Sequence, residues 1–392
     1  MQPRRILLEL FDAALRAVHG REAVARALRE HGGPVSVIAV GKAASAMALG
    51  AHDALGAAIE SLLVITKDGH VDPALARMPH ATILESAHPV PDTRSLAAGA
   101  ELLRWLGRLE PRVHPLFLVS GGSSSLVESL REGHTLGDLR ALNEQGLAAG
   151  LDIATLNSRR GVVSCLKHGG VARLLAGRRA TALFISDVPG DDPAIIGSGL
   201  LGRDGSIADG ILRIVVASLE MALGRVTQAA HAQGLALDSR GSRFDGPAEE
   251  VAHQFVDALR ATAADGLVWG GESTVKLPER HGRGGRNTHL ALAAARLLRP
   301  QDGLTILAAG TDGSDGPTTD AGALVDGGTL ARAELAGCDV ERAFREFDSG
   351  LALECAEDLV HTGPTGTNVG DLLIGIRHAA QPLRGHELPR VL

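Results

Sequence analysis

Short apolar runs that end in glycine, serine or aspartate alternate along this chain with longer stretches of helical spacing. Residues 35–40 form a β-rich run closed by Gly41, and the alanine-rich residues 43–58 predict the helix that follows. Further strands are predicted over 62–66, 82–86, 115–120 and 181–186, with helices over 93–109, 136–149 and 162–175. This alternation predicts an α/β fold whose first part is an open, mainly parallel, Rossmann-like sheet with helices on both faces. A long helical pattern over about 209–234 precedes the polar, glycine-rich residues 238–247. The domain junction is placed there, giving domains 1–240 and 241–392, the second a smaller α/β domain. Within it the pattern predicts a helix over 248–263, strands over 267–269 and 304–309, a helix over 288–298 and a last strand over 372–376. Ligands of such sheets bind beyond the carboxyl ends of strands, which is where the glycine and aspartate clusters of this chain fall.

The clearest of these clusters is Gly282-Arg283-Gly284-Gly285-Arg286-Asn287, which opens onto the helix predicted from 288. Backbone N–H groups at a helix start carry partial positive charge, glycines let an anion approach them, and the planar guanidinium of Arg286 can hold two oxygens at once. The plainer reading is a tight turn with an arginine on its surface. Lys42 follows a strand-ending glycine at a helix opening, where its ammonium could act on a phosphate or carboxylate, or simply face solvent. Asp187, Asp191 and Asp192 could hold magnesium through one or two carboxylates, or shape their turn. Asp312 and Asp315 lie in a glycine-rich loop where one could accept or orient a hydroxyl proton, or only fix the loop. Glu272 and Asn368 are weaker candidates for ribose or hydroxyl contacts. Together these parts suit phosphoryl transfer, which needs cations on the moving phosphate and a held acceptor hydroxyl more than covalent chemistry.

Several other chemistries lack their residues. Gly41-Lys42 has no upstream glycine at the Walker A spacing, and no Gly-x-Gly-x-x-Gly follows the first strand. Ser123 and Ser124 follow a strand without forming Gly-x-Ser-x-Gly, and no His-Glu-x-x-His occurs. A net charge of −7, no tyrosine and 2% aromatic residues argue against nucleic-acid partners and for a small anion. The segment after Arg4 and Arg5 is interrupted by Glu9, Asp12 and Arg16, so neither a signal peptide nor a membrane anchor is expected. Cys165, Cys338 and Cys355 show no paired spacing, so a reducing cytoplasm is expected. At 392 residues with 45% hydrophobic content, the chain can fill two cores. The lysines are Lys42, Lys67, Lys167 and Lys276, a scarcity that marks each as a candidate for a specific role.

The ordered motifs Val40-Gly41-Lys42-Ala43-Ala44, His88-Pro89-Val90-Pro91-Asp92, Ser120-Gly121-Gly122-Ser123, Ser186-Asp187-Val188-Pro189-Gly190-Asp191-Asp192, Gly270-Gly271-Glu272-Ser273-Thr274-Val275, the Arg286 loop, Gly310-Thr311-Asp312-Gly313 and Thr362-Gly363-Pro364-Thr365-Gly366-Thr367-Asn368 span nearly the whole chain. This set resembles the class II glycerate kinases. The resemblance implies an N-terminal Rossmann-like domain, a smaller C-terminal α/β domain and an active site in the cleft between them. It implies transfer of the γ-phosphoryl group of ATP, with Mg2+, to the 2-hydroxyl of D-glycerate or a related 2-hydroxy acid, with Lys42 and Arg286 matching the family's catalytic lysine and arginine. Ser120, Gly121, Gly122, Ser123, Ser124, Asp187, Glu272, Asp312, Asp315 and Asn368 are the expected substrate or nucleotide contacts, and Asp187 with Asp191 the expected metal contacts. The sequence departs from the family pattern at Gly121-Gly122-Ser123-Ser124-Ser125, Lys167-His168-Gly169-Gly170 and Ser198-Gly199-Leu200. An NAD(P)H-dependent hydroxypyruvate reductase, a label that similar proteins carry, and a non-catalytic sugar-acid or nucleotide sensor are the alternatives. The oligomeric state stays open, a homodimer included.

Overall fold

A computed structural model describes residues 3–148, 159–202, 210–241 and 243–378. In the first part of the chain, strands β1 (Val35–Val40), β2 (Ile59–Lys67), β3 (Ala81–Ser86), β4 (His114–Val119), β5 (Ala180–Ile185) and β6 (Ile211–Ala217) form one sheet in the order β3-β2-β1-β4-β5-β6. Every pairing in it is parallel. Central β1 is buried along its whole length because both faces are covered. Ile38 and Val40 pack among Leu102, Trp105 and Leu166, and the helix Ala44–Leu55 lies against the other face. Its run of small residues lets that helix sit close to the sheet. The strand order reverses beside β1, with β2 on one flank and β4 on the other, and ligand sites of open α/β sheets gather at such a switch point.

The second sheet is mixed. Strands β7 (Leu237–Ser239), β8 (Gly266–Gly271), β9 (Leu304–Gly310), β10 (Gly322–Asp326), β11 (Leu359–Val360) and β12 (Asp371–Arg377) take the order β11-β10-β9-β12-β8-β7. The last strand, β12, inserts at the centre, antiparallel to both β8 and β9. Helices Ala248–Ala261 and Arg286–Leu297 bury Phe255, Leu259, Leu290 and Ala294 in the core over this sheet.

The chain forms two compact units, neither of them continuous in sequence. One holds residues 14–224 and 364–370; the other holds residues 225–363, the helical residues before Ala14, and β12. The junction predicted at 238–247 falls inside the second unit, where β7 already pairs with β8. The single helix predicted over 209–234 resolves into β6 followed by the helix Leu219–Ala232, while Asp209 lies outside the described residues. The helix predicted over 162–175 is broken. Its first residues end a helical turn, Ser164 bridges to Leu130, and helix resumes only at Gly170–Leu174. No helix among the described residues is long and apolar enough to cross a membrane.

Candidate functional site

At the switch point, the ends of β1 and β4 are stitched to each other. Lys42 N donates to Gly121 O at 3.0 Å, and Ala43 N donates to Ser120 Oγ at 3.1 Å. Ser120 is fully buried and serves this bracing. Gly121 has no room for a side chain: a Cβ there would lie 1.9 Å from Asp187 Oδ2 and 2.1 Å from Asn368 Nδ2. Asn368 itself donates from Nδ2 to Asp187 Oδ2 at 3.1 Å. The following Gly122 has φ +83°, and the Lys42 stem and the His88 ring both pass about 3 Å from where its Cβ would be. Lys42, Gly121, Gly122, Asp187 and Asn368, drawn from four separate stretches of sequence, therefore meet within one unit. Ser123 is buried beside them, its Oγ without a hydrogen-bond partner among the described residues, and Ser124 Oγ lies 2.7 Å from Ser198 Oγ. Gathered here are a cation, a turn trimmed of side chains, hydroxyls and one half-buried carboxylate, a set suited to phosphate oxygens.

The glycine turn is held from behind by a residue that the spacing of motifs did not assign. Lys167 is buried, and its Nζ donates to Ser124 O at 2.7 Å and Val127 O at 2.8 Å, the carbonyls that end the short helix Ser123–Leu126. Glu128 Oε2 lies 3.9 Å from Nζ, an ion pair without a hydrogen bond, while Ser164 Oγ donates to Glu128 Oε1. Burial pushes the Lys167 pKa down to about 8; Glu128 opposes that shift and Arg160 adds to it. The available signals were the scarcity of lysine and the Lys167-His168-Gly169-Gly170 departure, but neither names the carbonyls it grips.

In the other unit, the Arg286 loop is saturated with the protein's own carboxylates. Asp315 takes the N–H groups that a helix start offers: Oδ1 accepts from Asn287 N at 2.9 Å, and Oδ2 accepts from Thr288 N at 2.7 Å and Thr288 Oγ1 at 2.8 Å. The anion at this helix start is thus a side chain of the chain itself. Burial raises the Asp315 pKa despite those hydrogen bonds. Arg286 donates from Nη1 to Glu272 and from Nη2 to Asp371 Oδ2 at 3.1 Å. Burial works to lower the Arg286 pKa, but Asp371 and Glu272 override it and leave it above the ordinary value. Asp371 is pushed up to about 6, by burial first and by Glu272, against the pull of Arg286. Asp312 is buried and accepts from Ser314 N at 2.9 Å and Ser314 Oγ at 3.1 Å, which fixes its own turn.

The two expected metal ligands sit differently. Asp187 stands beside the glycine turn, whereas Asp191 closes the turn Pro189–Asp191 with φ +53°. Asp192 Oδ1 caps that loop through Ala194 N at 2.9 Å. Among the described residues, no group of three or more His, Cys, Asp or Glu side chains is arranged to hold a metal. A nucleotide-bound magnesium ion needs only one or two carboxylates, because phosphate oxygens and water complete its shell, and Asp187 beside the Gly121 turn fits that demand.

Residues 6–229 match a family described as a domain of unknown function (DUF4147), and residues 266–371 match the MOFRL family. A protein of Agrobacterium vitis named "Putative hydroxypyruvate reductase" is 34% identical, covering 94% of this chain and 93% of that protein. A D-glycerate 2-kinase of Thermotoga maritima is 31% identical, covering 95% of this chain and 98% of that protein. The crystal structure of a glycerate kinase from Thermotoga maritima superposes with a TM-score of 0.83 at 30% identity, covering 96% of this chain and 99% of that one.

Proposed function

The chain belongs to the class II glycerate kinase family, and on that premise we propose that it transfers the γ-phosphoryl group of ATP to the 2-hydroxyl of D-glycerate, giving 2-phosphoglycerate. The observation that carries this reading is the convergence of Lys42, the Gly121-Gly122 turn, Asp187 and Asn368 at the carboxyl ends of β1, β4 and β5. Neither a Walker A loop nor a dinucleotide fingerprint occupies that position, so phosphate recognition rests on this turn and its lysine.

In this reading Lys42 and Arg286 are the catalytic cations, one on the substrate carboxylate and one on the moving phosphoryl group. Gly121, Gly122 and the Ser123 hydroxyl line the phosphate path, and Asn368 orients Asp187. Asp187 is the carboxylate that would face a magnesium ion carried by ATP, with Asp191 the second candidate. Magnesium, when bound, offsets phosphate charge during transfer. ATP as donor fits a cytoplasmic home.

Phosphorus NMR of a reaction containing ATP, magnesium and D-glycerate tests the proposal, with the expected product bearing phosphate on C2. Failure to form ADP with D-glycerate and with a panel of related 2-hydroxy acids would overturn it. Loss of NADH absorbance on mixing with hydroxypyruvate would favour the reductase name carried by the Agrobacterium protein.

A further inference from the structure

A pocket of about 450 Å3 opens at the carboxyl ends of β1 and β2, wholly within the unit that carries the glycine turn. Leu49 of the helix Ala44–Leu55 lines it, as do Val71 and Pro73 of the loop after β2. Polar side chains line it as well, His19, Ser45, His70 and Thr365 among them. Lys42 is one lining residue; Asp72 is another, its Oδ1 accepting from Ala74 N at 2.8 Å; and Arg21 lines the pocket while held by Asp53 at 2.5 and 2.9 Å. Volume is the first constraint. Pockets of roughly 300–1,000 Å3 enclose ligands of drug size, whereas a three-carbon acid would fill only a small part of this one.

The second constraint is continuity. Lys42 lines this pocket, and its stem also passes 3.0 Å from the Cβ position of Gly122, so one side chain belongs both to the pocket and to the phosphate turn. To a ligand lying here the pocket offers aliphatic side chains for a flat ring, a carboxylate for hydroxyls, and an ammonium for an anionic tail. In open parallel sheets, the flank of the switch point beyond the first two strands is a place where nucleosides bind. We infer that this pocket takes the nucleoside part of the ATP donor, its ring between Leu49 and the Val71–Pro73 loop and its ribose hydroxyls toward Asp72. The inference rests on the kinase reading and deepens it: Lys42 is the cation on the phosphate chain, and the acceptor acid is recognised elsewhere.

The test fills the pocket. Adenosine and ADP are titrated calorimetrically into the wild type and Val71→Trp, and KM is measured separately for ATP and D-glycerate. The wild type is expected to bind adenosine in competition with ADP. Val71→Trp is expected to weaken ADP binding and raise the KM for ATP by about tenfold or more, with the KM for D-glycerate within about twofold. Pro73→Trp on the same loop gives the same readouts if Val71→Trp loses its cooperative thermal transition. Unchanged ADP binding in a folded filled variant, or a rise confined to the KM for D-glycerate, overturns the inference. A wild type that binds adenosine at a site closed by Val71→Trp, yet phosphorylates no 2-hydroxy acid, leaves the pocket assignment standing and removes the acceptor reading instead.

Discussion

The two glycine-rich loops of this protein read alike in sequence but are surrounded by the protein's own acids to different extents. Around Gly121-Gly122 the turn packs closely against Asp187, Asn368, the Lys42 stem and the His88 ring, keeps one half-buried carboxylate nearby, and has its buried ion pair, Lys167 with Glu128, behind it. Around Arg286 three carboxylates, from Glu272, Asp315 and Asp371, already occupy the guanidinium and the helix-start amides. An anion approaching the first loop meets one neighbouring carboxylate, Asp187, while one approaching the second has to displace or neutralise three resident acids. Glycine followed by a cation therefore does not by itself define an anion site; how many of the protein's own acids surround it matters as well.

The largest expected effect tests the support behind the first loop. Lys167→Met removes two hydrogen bonds to buried carbonyls and strands Glu128, so a loss of about 3–5 kcal/mol in urea-unfolding free energy is expected. A loss below about 1 kcal/mol would mean the turn holds its shape without the lysine. Lys42→Ala comes next, with turnover on ATP and D-glycerate expected to fall about 10²–10³-fold at unchanged melting temperature. Near-normal turnover would remove Lys42 from the chemistry.

The second loop is probed through its acids. Because Asp371 is raised from 3.8 to about 6, the folded state binds more protons than the unfolded state between those values, and this group makes stability fall as pH rises through that window. Asp371→Asn lacks this penalty, so its stability relative to wild type should improve by about 2 kcal/mol between pH 4 and pH 7, read from urea midpoints. A difference independent of pH would show that Arg286 compensates the ionised carboxylate fully. The smallest effect is Asp315→Asn. As a helix cap its loss should lower stability by about 1 kcal/mol and leave the pH profile of turnover in place, whereas disappearance of a limb of that profile would make Asp315 a proton acceptor.

The central strands of the parallel sheet were legible in sequence to within a few residues, because a strand covered on both faces is a continuous apolar run. β6 was not. Among the described residues it is an edge strand paired with β5 alone, Arg213 gives it a polar interruption, and it runs straight into an amphipathic helix, so the two merged into one helical pattern. The helices Thr329–Leu335, Val340–Arg345 and Ser349–Cys355 span six or seven residues each, too few for a helical period to declare itself. The meeting of Lys42, Gly121 and Asp187 was legible because parallel strands deliver the loops after them to one end of a sheet. The capping of Arg286's helix by a residue 28 positions beyond Asn287 has no local signature, nor does the grip of Lys167 on carbonyls about 40 residues earlier.

Asn368 belongs to a seven-residue insert, residues 364–370, that completes the first unit although it lies between stretches of chain assigned to the second. During synthesis, Asp187 and the glycine turn emerge from the ribosome long before this partner does. A fragment cut after residue 224 would hold all six parallel strands yet lack the amide that steadies Asp187. Competence of the phosphate turn is therefore acquired late, only after residue 368 has been made.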